Sequence, residues 1–435
     1  MRHMTTTGKE DFTLKTMTQA ELNEVIRKHQ MFLTARPGGA RAVVRDRDLT
    51  GRSFLGQNLS QSDFTGCIMA DTDMRNANFE SATLFGCDFT NAKLMGTRLV
   101  RADMRGAEVG SADLTKADMT GADLREGKTI IKRKVKTSSD QYNKSSEAGV
   151  VQFTGSDLSG VNLNNATAIS AVFDDATMID TKMHGTNLKG ASLKGADLSK
   201  ADLSSADLRQ ADFSYAVMTG ANIKDAEKSG SNFTLTLTDE NAGPPIGEVE
   251  LTLDELILRH TSWVASGGRQ GKQLDLNGLD MRKGPSLAAS RLTGLKAAQT
   301  TFAEMDLRGT EMQGANVGGS DFRKCQMQNT DMRGTNFTGA LLQRANLSNA
   351  NLNPLSFKKQ DGVEYRIPCN FEKANLRQAV LAGARLMEAK FKDADLHRAD
   401  FRNCDLRRAD FTGANTFGAN FEGAALEDAV FDEKN

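Results

Sequence analysis

The chain has 435 residues, with 55 basic against 56 acidic side chains and a net charge of −1. That balance excludes a global field drawing the protein to polyanions or polycations, so direct nucleic-acid binding is not expected. No apolar run approaches the ~18 residues of a membrane span, and a cytoplasmic location without membrane contact follows as the expectation.

Residues 1–17 are expected to form a disordered N-terminus, and Met1–Thr7, with a basic residue but no apolar core, do not read as a secretory signal. A short helix follows. Thr18-Gln19-Ala20-Glu21 reads as a capping box, in which threonine and glutamate satisfy exposed amides reciprocally. The helix continues through Leu22, Ile26, His29 and Leu33 and should stop at Gly38-Gly39.

From Leu49 to Leu124 every fifth residue is large and apolar. The same period resumes from Phe153 to about Phe233. Two positions before each such central residue stands a small one, often alanine, and the residue between them is usually Asp or Asn. Five matches neither the helical period of 3.6 nor the strand period of 2. It describes a chain that turns a corner at each repeat and points one large and one small side chain inward. A polar insertion, 125–152, separates the two blocks, and 234–251, with Pro244-Pro245, is the expected linker.

The second half repeats the plan. Thr252-Leu253-Asp254-Glu255 is another capping box, and the helix runs through Leu256, His260 and Trp263 to Gly267-Gly268. The repeat returns at Leu276 and Met281, slips by one residue near Pro285, and runs from Leu287 to Leu352. After a shorter insertion, 353–370, it extends from Phe371 to Phe431. Two modules are therefore expected, 18–233 and 252–435, each opened by a helix that hides the unpaired edge of its first coil.

The units Ala196-Asp197-Leu198, Ala201-Asp202-Leu203 and Ala206-Asp207-Leu208 resemble those of the pentapeptide-repeat family. The resemblance implies a mainly β fold, a right-handed quadrilateral parallel β-helix with twenty residues per coil. The sequence carries its own check on that length. Phe371, Phe391, Phe411 and Phe431 recur at intervals of twenty, and eighteen of the 22 phenylalanines fall on the central phase. The exceptions are Phe12, Phe32, Phe85 and Phe417.

No residues in this pattern point to catalysis, to a metal or to a cofactor. Cys67, Cys87, Cys325, Cys369 and Cys404 all take the small inward position, which suits filler rather than a disulfide or a metal site. His184 and His397 follow central residues and should face solvent. His29 and His260 are expected to orient each helix against its first coil; recognition of a ligand is the alternative. The corner Asp and Asn residues should bond nearby backbone rather than act as acid and base. Lys132, Arg133, Lys134 and Lys136 form the densest basic run, either a solvated loop or a candidate for docking an acidic partner or a phosphate backbone.

A filled interior leaves only outer surfaces to act. The favoured function is thus a non-enzymatic protein-interaction scaffold with an unidentified protein partner, its insertions standing at matching places in both halves. The alternative comes from the resemblance, since some pentapeptide-repeat proteins mimic duplex DNA and protect type II topoisomerases such as gyrase. A near-neutral charge argues against that mimicry, and a continuous acidic stripe on the fold would argue for it. A homodimer through an uncovered C-terminal coil is a further expectation.

Overall fold

A five-residue period puts one corner in each repeat, and a corner is stable when a hydrogen bond closes it. The computed structural model describes residues 14–127, 149–240, 243–245, 252–358 and 364–432. In it the amide of the small residue at most corners donates to the preceding central carbonyl, as from Cys67 N to Phe64 O at 3.1 Å and Ala92 N to Phe89 O at 2.9 Å. The residue second after the central one has positive φ, 65° at Gly56 and 56° at Asn76. A type II turn demands this of its third residue.

Between corners, short extended stretches pair in parallel with those twenty residues on, Ser53 with Asp73, Asp73 with Lys93 and Lys93 with Asp113. Phe54 N donates to Asp73 O at 2.7 Å and Asp73 N to Arg52 O at 3.1 Å, so each coil hydrogen-bonds to the next. The coil is four-sided, as expected. The slip at Pro285 is visible as a step of twenty-one, Asp275 pairing with Lys296 and Asp280 with Thr301.

Central residues such as Phe54, Leu198 and Phe391 are fully buried, together with small ones such as Ala196 and Ala201. Burial of each Leu or Phe contributes about 1.5–3 kcal/mol, spread evenly along the solenoid. Rings on one face stack, Phe153 on Phe173 at 4.9 Å and 2° and Phe391 on Phe411 at 5.0 Å and 6°. Rings on opposite faces, ten residues apart, meet edge to face across the interior, Phe391 against Phe401 at 5.7 Å and 85°. Several polar residues at the small position have a partner too. Cys87 Sγ, Thr97 Oγ1 and Thr335 Oγ1 each donate to the central carbonyl one coil earlier, at 3.0, 2.8 and 2.8 Å.

The chain divides into two compact units, Met1–Asp239 and Glu240–Asn435, each with its own core. Helix α1 (Gln19–Leu33) and helix α2 (Leu253–Ala265) both begin with complete capping boxes. Leu22 and Ile26 of α1 join the core of the first unit, and Leu253 of α2 joins that of the second.

Helix α1 stops short of Gly38-Gly39. Ala35 takes φ 50°, Ala35 N donates to Phe32 O at 3.0 Å and Arg36 N to Met31 O at 2.8 Å. That pair of bonds is a Schellman ending. Gly267 holds the matching place after α2, with φ 61° and the same two bonds one step along.

Different groups close parts of the first coil's edge. Strand β1 (Lys15–Thr16) pairs in parallel with β2 (Arg47–Asp48). Residues 15–17, expected within a disordered N-terminus, are thus tied to the coil by edge amides that need partners. Residues 1–13 lie outside the described residues. The Gln19 side-chain amide accepts from Ser53 N at 2.8 Å and donates to Ser53 O at 3.0 Å, as a neighbouring strand would. His29 serves the remaining corner. In the second unit Asp280 N donates to Pro244 O at 2.8 Å, so part of the expected linker is edge strand. At the linker's other end the repeat runs past Phe233, with Leu237 pairing to Val217.

Candidate functional site

A filled coil can act only through what stands on its corners. At many corners the central residue is flanked by Asp before and Arg after. Arg105 Nε and Nη2 grip both oxygens of Asp103 at 2.9 and 2.8 Å, while Arg105 N donates to Asp103 Oδ1 at 3.2 Å. Arg75, Arg125, Arg209, Arg308, Arg333, Arg402 and Arg407 repeat this fork on the aspartate two residues earlier. The Arg308 guanidinium, followed by the Arg308 amide, brings the Asp306 carboxyl down to about 2. A carboxylate held this way is a fixed anion already neutralised by its own repeat, unsuited to general acid–base work. Among the described residues, no face stacks more than two acidic positions in succession: Asp103 and Asp123 are followed by Thr167, Glu311 and Asp331 by Asn351. The faces are mixed in sign.

Both insertions leave the coil as antiparallel pairs lying over a glycine corner. The second is a hairpin of β3 (Leu355–Lys358) and β4 (Glu364–Ile367). Leu355, Phe357, Tyr365 and Ile367 share one side. Leu355 sits over Gly334, where an added Cβ would lie 2.6 Å from the Leu355 Cβ. Farther out Phe357 stacks on Tyr365 at 5.8 Å, the two rings 41% and 36% exposed, and Ile367 is 44% exposed. Phe357 is one of the eighteen phenylalanines in phase with the repeat, but the chain leaves the coil after Leu352 and carries it into this hairpin. In the first unit Gly127 and Gly149 exchange two 2.9 Å backbone bonds. Gly127 lies against Arg105, whose guanidinium covers the Phe85 ring at 5.5 Å.

The two insertions are not at matching places. Counted from the corner that each cap histidine holds, the first leaves one corner later than the second. Lys132, Arg133, Lys134 and Lys136 lie outside the described residues. The hairpin had a readable signal: alternating Leu355-Ser356-Phe357-Lys358 and Glu364-Tyr365-Arg366-Ile367 flank Asp361-Gly362. All five cysteines are buried thiols outside any disulfide. His184 is exposed, whereas His397 is only 8% exposed and stacks on Phe417 at 5.4 Å. Twenty residues separate those two rings, so the corner position outside the core forms its own column.

The sequence model for pentapeptide repeats matches residues 48–80, 58–94, 92–126, 152–190, 191–227, 286–323, 320–353, 369–408 and 394–432. The chain belongs to the pentapeptide-repeat family. No curated protein matches the chain. Among solved structures, full-length QnrB1, a plasmid-mediated fluoroquinolone resistance protein, is 20% identical; the match covers 46% of this chain and 93% of that one, with TM-score 0.25. HetL from the cyanobacterium Nostoc sp. strain PCC 7120, involved in heterocyst differentiation regulation, is 17% identical over 92% of this chain and 95% of that one, at TM-score 0.15. Rfr23 from the cyanobacterium Cyanothece 51142 is 22% identical over 32% and 91%, at TM-score 0.18. Among the described residues of this pentapeptide-repeat chain, no helix is long and apolar enough to cross a membrane.

Proposed function

We propose that this pentapeptide-repeat protein is a non-enzymatic interaction scaffold of two helix-capped modules, 18–233 and 252–435, that presents projecting elements on rigid coils. The observation that carries the reading is the contrast between interior and corners. Most central side chains are fully buried, while the hairpin holds Phe357, Tyr365 and Ile367 at 41%, 36% and 44% exposure. Aromatic side chains fixed on a rigid support are the usual anchors of protein interfaces. The first insertion, with Lys132, Arg133, Lys134 and Lys136, is the second contact element under this reading.

Topoisomerase binding by DNA mimicry is the weaker alternative, because the Asp–Arg forks neutralise the acidic columns that such mimicry needs. Self-association through the last coil also remains a proposal, supported by Phe431 at 41% exposure.

Partner capture from a native lysate tests the scaffold reading, using the intact chain, a Phe357→Ser/Tyr365→Ser variant and a chain lacking residues 126–151. Loss of a partner with either change is expected. Retention of every partner by both variants would refute the assignment of these elements. A gyrase supercoiling assay showing no effect would dispose of the topoisomerase alternative.

A further inference from the structure

Each unit has one fully buried histidine on its opening helix, His29 on α1 and His260 on α2. His29 Nδ1 accepts the Ala42 backbone amide at 3.1 Å, and Nε2 bonds the Ser60 carbonyl at 3.0 Å. An amide can only donate and a carbonyl can only accept, so the ring is neutral with its proton on Nε2. Both backbone groups need this partner. In later coils the amide at Ala42's position closes a turn onto the central residue before it, as Cys67 N does onto Phe64 O. The carbonyl at Ser60's position accepts from the preceding coil, as Phe85 O does from Gly66 N. The first coil has no coil before it, and His29 replaces it.

The second unit repeats the arrangement. His260 Nδ1 accepts Leu274 N at 3.0 Å. Its Nε2 faces the Thr293 backbone, the counterpart of Ser60, without closing an ordinary hydrogen bond. Each imidazole is stacked on the aromatic residue one turn later, His29 on Phe32 at 5.8 Å and His260 on Trp263 at 5.6 Å.

We propose that α1 and α2 are acid-released caps, each held by a neutral histidine whose protonation places N–H against N–H and frees the edge of the first coil. Burial, first, lowers both histidines below their ordinary value of 6.5. Arg41 is the charged group acting on His29 and pushes the same way, the Ser60 and Thr293 backbones push back, and no carboxylate is among the groups acting on either ring. The sign follows. The released helix binds a proton at ordinary acidity and the docked helix does not, so docking is complete above about 6.5 and weakens as pH falls below it. Each pH unit within that window shifts the docking equilibrium up to about tenfold per histidine. The freed edge would expose a parallel strand register for another chain segment.

The test is hydrogen exchange on the full chain at pH 7.5, 6 and 5, corrected for intrinsic rates, with Trp263 fluorescence read alongside. Trp263 is the only tryptophan and reports the His260 contact directly. Expected are faster exchange in residues 19–33 and 253–265 on acidification, unchanged protection in the coils, and an emission step with midpoint below 6.5. His29→Gln should remove the pH response of α1 alone, and His260→Gln that of α2 alone, because glutamine can accept and donate without titrating. The proposal is overturned if the helices keep full protection to pH 5, if coils and helices lose protection together, or if the response persists in the glutamine variants. Should those variants fail to fold, the wild-type contrast between helices and coils, with the emission step, still decides.

Discussion

Phe337 and Phe371 stack with ring centroids 4.8 Å apart and planes 2° from parallel, although the whole hairpin lies between them in sequence. Asn336 pairs with Asn370 in the same ladder, so the hairpin lengthens one twenty-residue coil without shifting its register. The coil is therefore indifferent to what leaves its corner. Removal of residues 354–367 joins Asn353 to Pro368 and restores the period of five, but puts proline where the corner needs positive φ. Pro368→Gly must accompany the deletion. The shortened protein should melt within about 4 °C of the parent, equivalent to roughly 1 kcal/mol in a unit of this size. A drop of ten degrees or more in a thermal melt would mean that the hairpin supports the coil rather than rides on it.

The cysteines make a second expectation. Burial first and foremost pushes the Cys369 and Cys404 thiols up to about 12 and raises Cys325 well above its ordinary value too. Each of these thiols also donates to a backbone carbonyl, Cys325 Sγ to Phe302 O at 2.8 Å and Cys404 Sγ to Leu381 O at 3.0 Å. The thiolate is the reactive form. A thiol reagent at pH 8 should label none of the five within minutes and all five in denaturant. Rapid labelling of the native chain would contradict the buried filler role.

The coil was legible because its instructions are local and redundant. Leu198, Leu203 and Leu208 repeat one rule, and Phe391 under Phe411 confirms the coil length independently. Capping boxes at Thr18 and Thr252 were equally readable, since four residues define them. The hairpin was harder. Phe357 keeps the phase of the repeat, and only the alternation around it shows that the chain has changed from one period to another. The cap's function was least visible: nothing near His29 in sequence says that its partners are Ala42 and Ser60, which meet only once the coil has closed.

Ala35 offers a clean measure of local strain. It is the αL residue of the α1 ending, where Gly267 serves in α2. An L-residue there costs about 1–2 kcal/mol, and glycine returns part of that as entropy of the unfolded chain. Ala35→Gly should raise the stability of the first unit by up to about 1 kcal/mol, seen as slower exchange of the α1 amides. Faster exchange would show that αL strain is not what limits this helix end.

Gly39 and Gly271 make the opposite case. Both lie where the chain leaves the helix and turns back across its last turn toward the first corner, with Ala40 N bonded to Lys28 O at 3.0 Å and Lys272 N to Arg259 O at 3.1 Å. A methyl on Gly39 would run into the Phe32 amide, and one on Gly271 into Arg259 O and Trp263 N. These are backbone atoms and cannot move aside as a side-chain tip would. Gly39 has ordinary φ, so its requirement is one of space alone, whereas Gly271 combines close approach with φ 75°. Overpacking of this kind costs about 1–3 kcal/mol. Gly271→Ala should be the worse of the two because it adds the left-handed penalty. Both should loosen helix and first coil while leaving distant coils protected, since each coil contacts only its neighbours. Exchange protection lost equally along a whole unit would show instead that the solenoid melts as one cooperative block, with the cap as its keystone.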